Sequence, residues 1–480
     1  MLRRRRTRRL GDRDELHVDE RRQRQLVPGS NWGGAAPSGT VGTLSFPALA
    51  CSSSACPTTT DDVSGLTAST LSVAQPAGMG WTLNGSGSDP LTLTSGLSAT
   101  ASTTANVETP VSSDVPIVLG AANTWTLSGG PVMFHQLGDL SGDQSLTVNM
   151  PSGENAELNL SGASDEVGAV TLNGGDMFLG TSVFGGGGPS TITPGDLNGT
   201  NGNGVAITNG GLLDGAGTVG ALTTTGSSSL QPGAGSSLGV LSATSVTLDP
   251  ASVVDFDIEG SGTSPGTDYD QLTSTGAVNL AGAHLALFAM SYPAGQAPQC
   301  LNPPRGTVYT LVSTTGSLGG TFAGLPNNAL DEIQCGRSPA VFRINYQETG
   351  ATQTVTATAI SVFTWSGAAA TGQDWSAAAN WASGTAPAPS GNVDVLQFPA
   401  LNGCSTADDV CYTSTNDVTG VTVGQMSLPF GDGYSLSGDG ITLGAGGLST
   451  TQASGTTPNG DWDPDRARRK PVVERHRRGL

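Results

Sequence analysis

Apolar residues along this chain come in short alternating runs, none with helix-length periodicity. Between Leu212 and Leu248 the pieces TVGAL, SSSL, GVL and SVTL are cut by Gly, Pro and Ser clusters, and Asp214 is the one charged residue. That pattern predicts many short strands joined by tight corners. A strand so short buries only a thin apolar layer, so each layer must be covered by the next, which is the logic of a solenoid. Further strands are read at Glu157–Met177, where Leu158 and Leu160 alternate with polar residues, and at Ala277–Phe288, Val308–Val312 and Ala340–Ala357. The cleanest is VVDFDIE: Val254, Phe256 and Ile258 fall on one face, and Asp255, Asp257 and Glu259 on the other. Gly185–Gly204, rich in Gly and Asn, reads as a loop leaving the stack.

The pattern also repeats. SNWGGAAPSGTVGTLSFPALAC (Ser30–Cys51) returns as ANWASGTAPAPSGNVDVLQFPALNGC (Ala379–Cys404), with Trp32 matched to Trp381. The match continues through DDVSGLTASTLSV and NDVTGVTVGQMSL, then WTLNGSG and YSLSGDG. The organisation expected is therefore a first solenoid unit over 28–358, the start of a second over 359–460, and basic segments at 1–27 and 461–480.

Charge separates those basic ends from the body. The chain has Gly at 70 of 480 positions, 12% charged residues and a formal net charge of −19. Ten of its arginines lie in Met1–Val27, while Pro28–Gly460 holds only Arg305, Arg337 and Arg343 against thirty acids. A body this acidic gains nothing from counterion release on a phosphate backbone, so no nucleic-acid partner is expected. The ends are read either as disordered basic tails or as out-of-frame text. Codons compatible with Leu10–Val27, read one base later, can spell SVTATSFTWTSGASGNWS, which parallels the Thr354–Ser376 text before the second copy. Codons for Asp463–Arg478 can likewise spell TPIALGASPWSSVTAG, which parallels Val115–Gly130. No apolar stretch follows the N-terminal arginines, so no secretory leader is read there. No 18-residue apolar run exists, so no membrane span is expected.

Six cysteines fall in three pairs close in sequence: Cys51 and Cys56, Cys300 and Cys335, Cys404 and Cys411. Local even pairing without zinc-type spacing predicts disulfides in an oxidising compartment.

LNLSGASDEVGAVTLNGGDM resembles the autotransporter-associated β-strand repeat. LLDGAGTVGALTTTGSSSLQPGAGSSLGVLSATSVTL, DYDQLTSTGAVNLAGAHLAL and YTLVSTTGSLGGTFAGLP resemble the rungs around it in bacterial autotransporter-like passenger regions. The resemblance covers roughly Pro116–Thr358. It implies an all-β parallel β-helix, secretion to the outside or surface of a bacterial cell, and a structural or adhesive role. The cysteine pairs depart from the usual passenger pattern.

Candidate chemistry is sparse. GAGTVG (Gly215–Gly220) fits a dinucleotide fingerprint by letters, but no helix can follow it, so it is expected to be a solenoid corner. Asp255, Asp257 and Glu259, with Asp268 and Asp270 in TDYDQL, form the one carboxylate cluster. The functional readings are a Ca²⁺ site or the paired acids of a polysaccharide-cleaving cleft; the structural reading is a solvated strand face followed by a turn. His135 and His284 lie beside no nucleophile motif. Trp365, Trp375 and Trp381 are expected to be the packing centre of a unit boundary rather than a sugar platform. The expected function is that of a non-catalytic secreted or cell-surface solenoid, a spacer or adhesin, needing no cofactor and meeting surface glycans. The alternative is a polysaccharide lyase or hydrolase on the same fold.

Overall fold

The computed structural model describes residues 35–48, 58–75, 81–85, 89–101, 111–130, 132–150, 156–162, 166–179, 204–233, 237–291, 299–301, 303–333, 340–369, 372–401, 412–428 and 434–450. It adds short pieces at 15–17, 26, 32, 181–182, 192–193 and 195–197. The basic ends, apart from 15–17 and 26, and most of Gly185–Gly204 lie outside the described residues.

The fold is an all-β parallel β-helix. The chain divides into two compact units, the first formed by residues 1–301, 308–329 and 344–357 and the second by 302–307, 330–343 and 358–480. In the first unit each turn lays strands on two sheets. One sheet receives Thr40–Phe46, Thr67–Gln75, Leu91–Ala101, Asn123–Ser128, Leu146–Asn149, Val170–Asn173, Val205–Thr208, Gly217–Thr224 and Val240–Thr247, paired in parallel. The other receives Thr58–Asp61, Thr82–Gly85, Val111–Ser113, Met133–Gln136, Glu157–Leu160, Asp176–Leu179, Leu212–Gly215, Ser229–Pro232, Val253–Ile258 and His284–Ser291, again in parallel.

Period-two alternation puts one residue in two inside, and the parallel register then stacks like on like. Phe134, Leu158, Met177, Leu213, Leu230, Val254 and Leu285 pair from rung to rung along the second sheet, and all are buried. On the first sheet Leu44, Leu71, Leu97, Trp125, Val148, Leu172 and Ile207 form the facing column. Each such side chain contributes roughly 1.5–3 kcal/mol relative to exposure, and the column is what lets strands of four residues persist.

GAGTVG is a corner, as its turn residues predict. Leu212–Gly215 lies on the second sheet and Gly217–Thr224 on the first, so the chain changes sheet at Ala216. Gly215 has φ of 114°, and a Cβ there would overlap the carbonyl oxygen of Leu179 on the adjacent rung. Among the described residues no helix is long and apolar enough to cross a membrane.

In the second unit Val362–Thr364, Asn392–Gln397, Thr422–Leu428 and Thr442–Thr450 form one parallel sheet, and Thr413–Asn416 pairs with Ser435–Gly438. Trp365, Trp375, Trp381 and Phe398 fill the space beside them, each at most 2% exposed. The tryptophans are a packing centre, and their rings are covered.

Candidate functional site

The residues that alternate with the buried columns differ in chemistry between the two sheets of the first unit. On the second sheet the residues alternating with the buried column are His135, Asn159, Phe178, Asp214 and Gln231, paired in that order. Asp255 and Asp257 occupy the same alternation on Val253–Ile258. The expectation of a solvated acidic strand face is overturned here: Asp255 is 7% exposed, Asp257 4% and Asp270 0%. Alternation reports only which face a residue is on, and this face is covered.

Asp257 accepts a hydrogen bond from Gln231 Nε2 at 3.2 Å. Asp270 accepts from the backbone N–H of Gly239 at 2.8 Å and of Asp257 at 2.9 Å, and its own N–H donates to the Asp257 carbonyl at 2.9 Å. Burial, and then the neighbouring Asp257 carboxylate, push the Asp270 carboxyl well above the usual range. Gly233, at φ of 85°, leaves the space that this carboxyl fills, because a Cβ there would overlap it. Asp270 therefore pins the corner at Gly239 to the strand Val253–Ile258.

Asp268 does different work. Its carboxylate accepts from Ser264 N at 2.9 Å, and its carbonyl accepts from Glu259 N and Gly260 N, closing the loop that leaves the strand. The structure thus brings together Asp255, Asp257 and Asp270, and places Glu259 and Asp268 at the adjoining loop. Among the described residues no group of three His, Cys, Asp or Glu is arranged to hold a metal ion.

A second titratable group on the same sheet face was not legible as such in the sequence. Glu157 and Asp176 are register partners on adjacent strands, and His135 Nε2 lies 3.9 Å from Glu157 Oε1. Burial, with the Asp176 charge adding to it, pushes the Glu157 carboxyl up to about 7, while burial pushes the His135 imidazole down. The three side chains come from separate short strands, so only the register unites them.

The first sheet is uniform by contrast. Its outward column runs from Thr43 and Thr70 through Thr124, Thr147 and Thr171 to Thr223 and Thr247, with Gly96 and Ala206 interrupting it. Two residues along each strand a second column carries Ser45, Ser72, Ser98, Thr126, Asn149, Asn173 and Thr208. Asn173 Nδ2 donates to Asn149 Oδ1 at 2.9 Å, so part of this second column is tied along the ladder. The signal for both columns was present in TWT, TVN, TLN and AIT, but only as fragments spaced at unequal intervals.

Cys300 is disulfide-bonded. Cys51, Cys56, Cys335, Cys404 and Cys411 lie outside the described residues, so the three pairings remain expectations. No family model matches the chain, and no curated protein matches it, so the fold and its two faces carry the functional argument.

Proposed function

We propose that this chain is a non-catalytic β-solenoid of the bacterial cell surface or exterior, serving as a structural spacer and adhesive surface. The resemblance to autotransporter-associated β-strand repeats is part of the same proposal. The observation that supports it is the contrast between faces: the outward face of the first sheet is uncharged, carrying mainly Thr, Ser and Asn, while Asp257 and Asp270 on the other side are buried and hydrogen-bonded, Asp270 to two backbone N–H groups. Surface glycans are the expected partner class. The test is retention of beads carrying the full chain on polysaccharide-coated and bacterial-cell surfaces under flow. Retention that falls when Thr124 is replaced by Tyr is the expected result; beads that never exceed an albumin-coated control would overturn the reading.

One observation favours the enzymatic alternative. Glu157, poised at about 7 beside Asp176 and His135, has the protonation behaviour that acid–base chemistry uses. Release of sugar ends from acidic or neutral polysaccharides, abolished by Glu157→Gln or Asp257→Ala with the fold intact by circular dichroism, would establish that alternative in place of the adhesive one.

A further inference from the structure

We infer that the end rung of the second unit, carrying Leu436, Leu443 and Leu448, is a docking surface for a further parallel β-rung patterned like Val111–Ser128. The inference rests on the fold and stands apart from the adhesive reading.

The first observation is a rung that is dry in one copy of the module and wet in the other. Leu436 is 39% exposed, Leu443 42% and Leu448 57%. Each has a counterpart in the first copy. Thr59 pairs with Leu83 as Ser414 pairs with Leu436. Ala68 pairs with Leu93 as Val423 does with Leu443, and Leu71 with Leu97 as Met426 does with Leu448. The two ladders even shift register at the same place, between Ala68 and Thr70 and between Val423 and Gln425. Yet Leu83, Leu93 and Leu97 are all at most 4% exposed.

The next rung makes that difference. In the first copy Leu83 pairs with Ser113, Leu93 with Leu119 and Leu97 with Trp125, all in parallel. Ile117, Leu119 and Trp125 are themselves at most 2% exposed, so the two rungs share one dry layer. In the second unit Ser435–Gly438 and Thr442–Thr450 are the last strands of their sheets among the described residues. Such an edge offers backbone N–H and C=O groups to an added strand. The sequence after it holds no matching strand: 451–460 is TQASGTTPNG, and 461–480 carries six Arg, one Lys and four acids without an alternating apolar run.

The pairing also selects the occupant. A second copy meeting this end about a two-fold axis would lay Thr442–Thr450 against itself antiparallel, whereas the ladder here is parallel. A rung with Ile-x-Leu on one strand and Trp-x-Leu on the next supplies both the backbone groups and the apolar cover. It does so in the register that Leu91–Ala101 already accepts.

The test adds a synthetic peptide with the Val111–Gly130 sequence to the full chain and follows hydrogen exchange strand by strand. Protection of Ser435–Gly438 and Thr442–Thr450 is expected, with none from a scrambled peptide. Leu448→Asp should weaken binding at least about tenfold, because the rung would bury an unpaired carboxylate. Leu448 is more than half exposed, so the variant should fold; Leu443→Asp repeats the comparison if it does not. A full-chain variant with 461–480 replaced by the Val111–Gly130 sequence presents the same rung in cis, at high effective concentration. Protection in that variant sustains the inference even where the free peptide binds too weakly to detect. Absence of protection in both formats overturns it, as does peptide binding that both Asp variants retain. Protection of the same strands that grows with chain concentration and without peptide would assign the surface to a second copy and overturn it too.

Discussion

Two stretches of the chain, 26–101 in the first unit and 375–450 in the second, build one local structure from sequences that agree only in part. Trp32 Nε1 donates to the Leu26 carbonyl at 2.8 Å, and Trp381 Nε1 donates to the Trp375 carbonyl at the same distance. Leu26 N donates to Thr60 O, and Trp375 N to Thr415 O. Phe46 meets Trp81 edge-on at 5.3 Å, and Phe398 meets Tyr434 edge-on at 5.3 Å. Asp61 Oδ1 accepts from Val63 N at 3.0 Å, and Asn416 Oδ1 from Val418 N at 3.0 Å. The shared set shows what the module requires: an indole tied to a carbonyl six residues back, a ring pair, and a side-chain oxygen closing one turn. The differences show what is optional, and each can be tested by moving the copies towards or away from one another.

The largest expected effect lies in the ring cluster. Trp381 packs edge-on against Phe363, Trp365 and Trp375, with Phe398 beside them, whereas Trp32 has Phe46 at 5.8 Å. Trp381→Ala should cost about 3–5 kcal/mol and Trp32→Ala distinctly less. Urea unfolding combined with hydrogen exchange should place the first loss in the strands between Val362 and Thr450 and leave the rungs between Thr124 and Thr247 protected. Equal losses from the two substitutions would mean that the extra rings of the second copy do not hold it.

Next comes the carboxyl that the second copy replaces with an amide. Burial pushes Asp61 up to about 6, the neighbouring acids Asp62 and Asp89 adding to it. Its folded pKa is raised above the unfolded value, so the folded state binds the extra proton. The associated stability is complete below about pH 4 and is lost as pH rises through 6. Asp61→Asn places in the first copy what Asn416 already is in the second. It should raise stability at pH 7.5 by up to about 3 kcal/mol and change nothing at pH 3.5. Thermal unfolding of both proteins across that range checks the sign, and a gain that persists at pH 3.5 would assign the effect to packing instead.

How far this was legible depends on whether information is local. Short strands, corners such as Gly215–Gly220 and the Trp32–Trp381 repeat follow from neighbouring residues, and the structure bears out the all-β parallel helix. The side of Val253–Ile258 that faces the core was legible for the same reason. That Asp255 and Asp257 would nonetheless be buried was not, because Asp270 and the corner at Gly239 meet that strand through pairings that alternation does not encode. The threonine column and the Glu157–Asp176 pair share that obstacle. Unequal turns hide the register, and side-chain neighbours across rungs are set by register alone.

The smallest expected effect is the most discriminating between the copies. Leu26 lines a small apolar cavity with Leu44, Phe46, Thr59, Leu71 and Leu83. In the second copy Trp375 occupies the equivalent backbone position, and its indole N–H donates to Ser414, the counterpart of Thr59. The shifted reading of Leu10–Val27 also puts a tryptophan in place of Leu26. Leu26→Trp should therefore fill the cavity, gain a hydrogen bond to the Thr59 hydroxyl and stabilise the first unit by about 1 kcal/mol. If the slot is not built for an indole, overpacking should instead cost about 1–3 kcal/mol. The two outcomes differ in sign, so urea midpoints suffice to separate them. Adding Thr59→Ala isolates the hydrogen bond: a gain from Leu26→Trp that does not shrink without the hydroxyl would show the cavity filled in another orientation, and the two modules would then share a backbone without sharing a core.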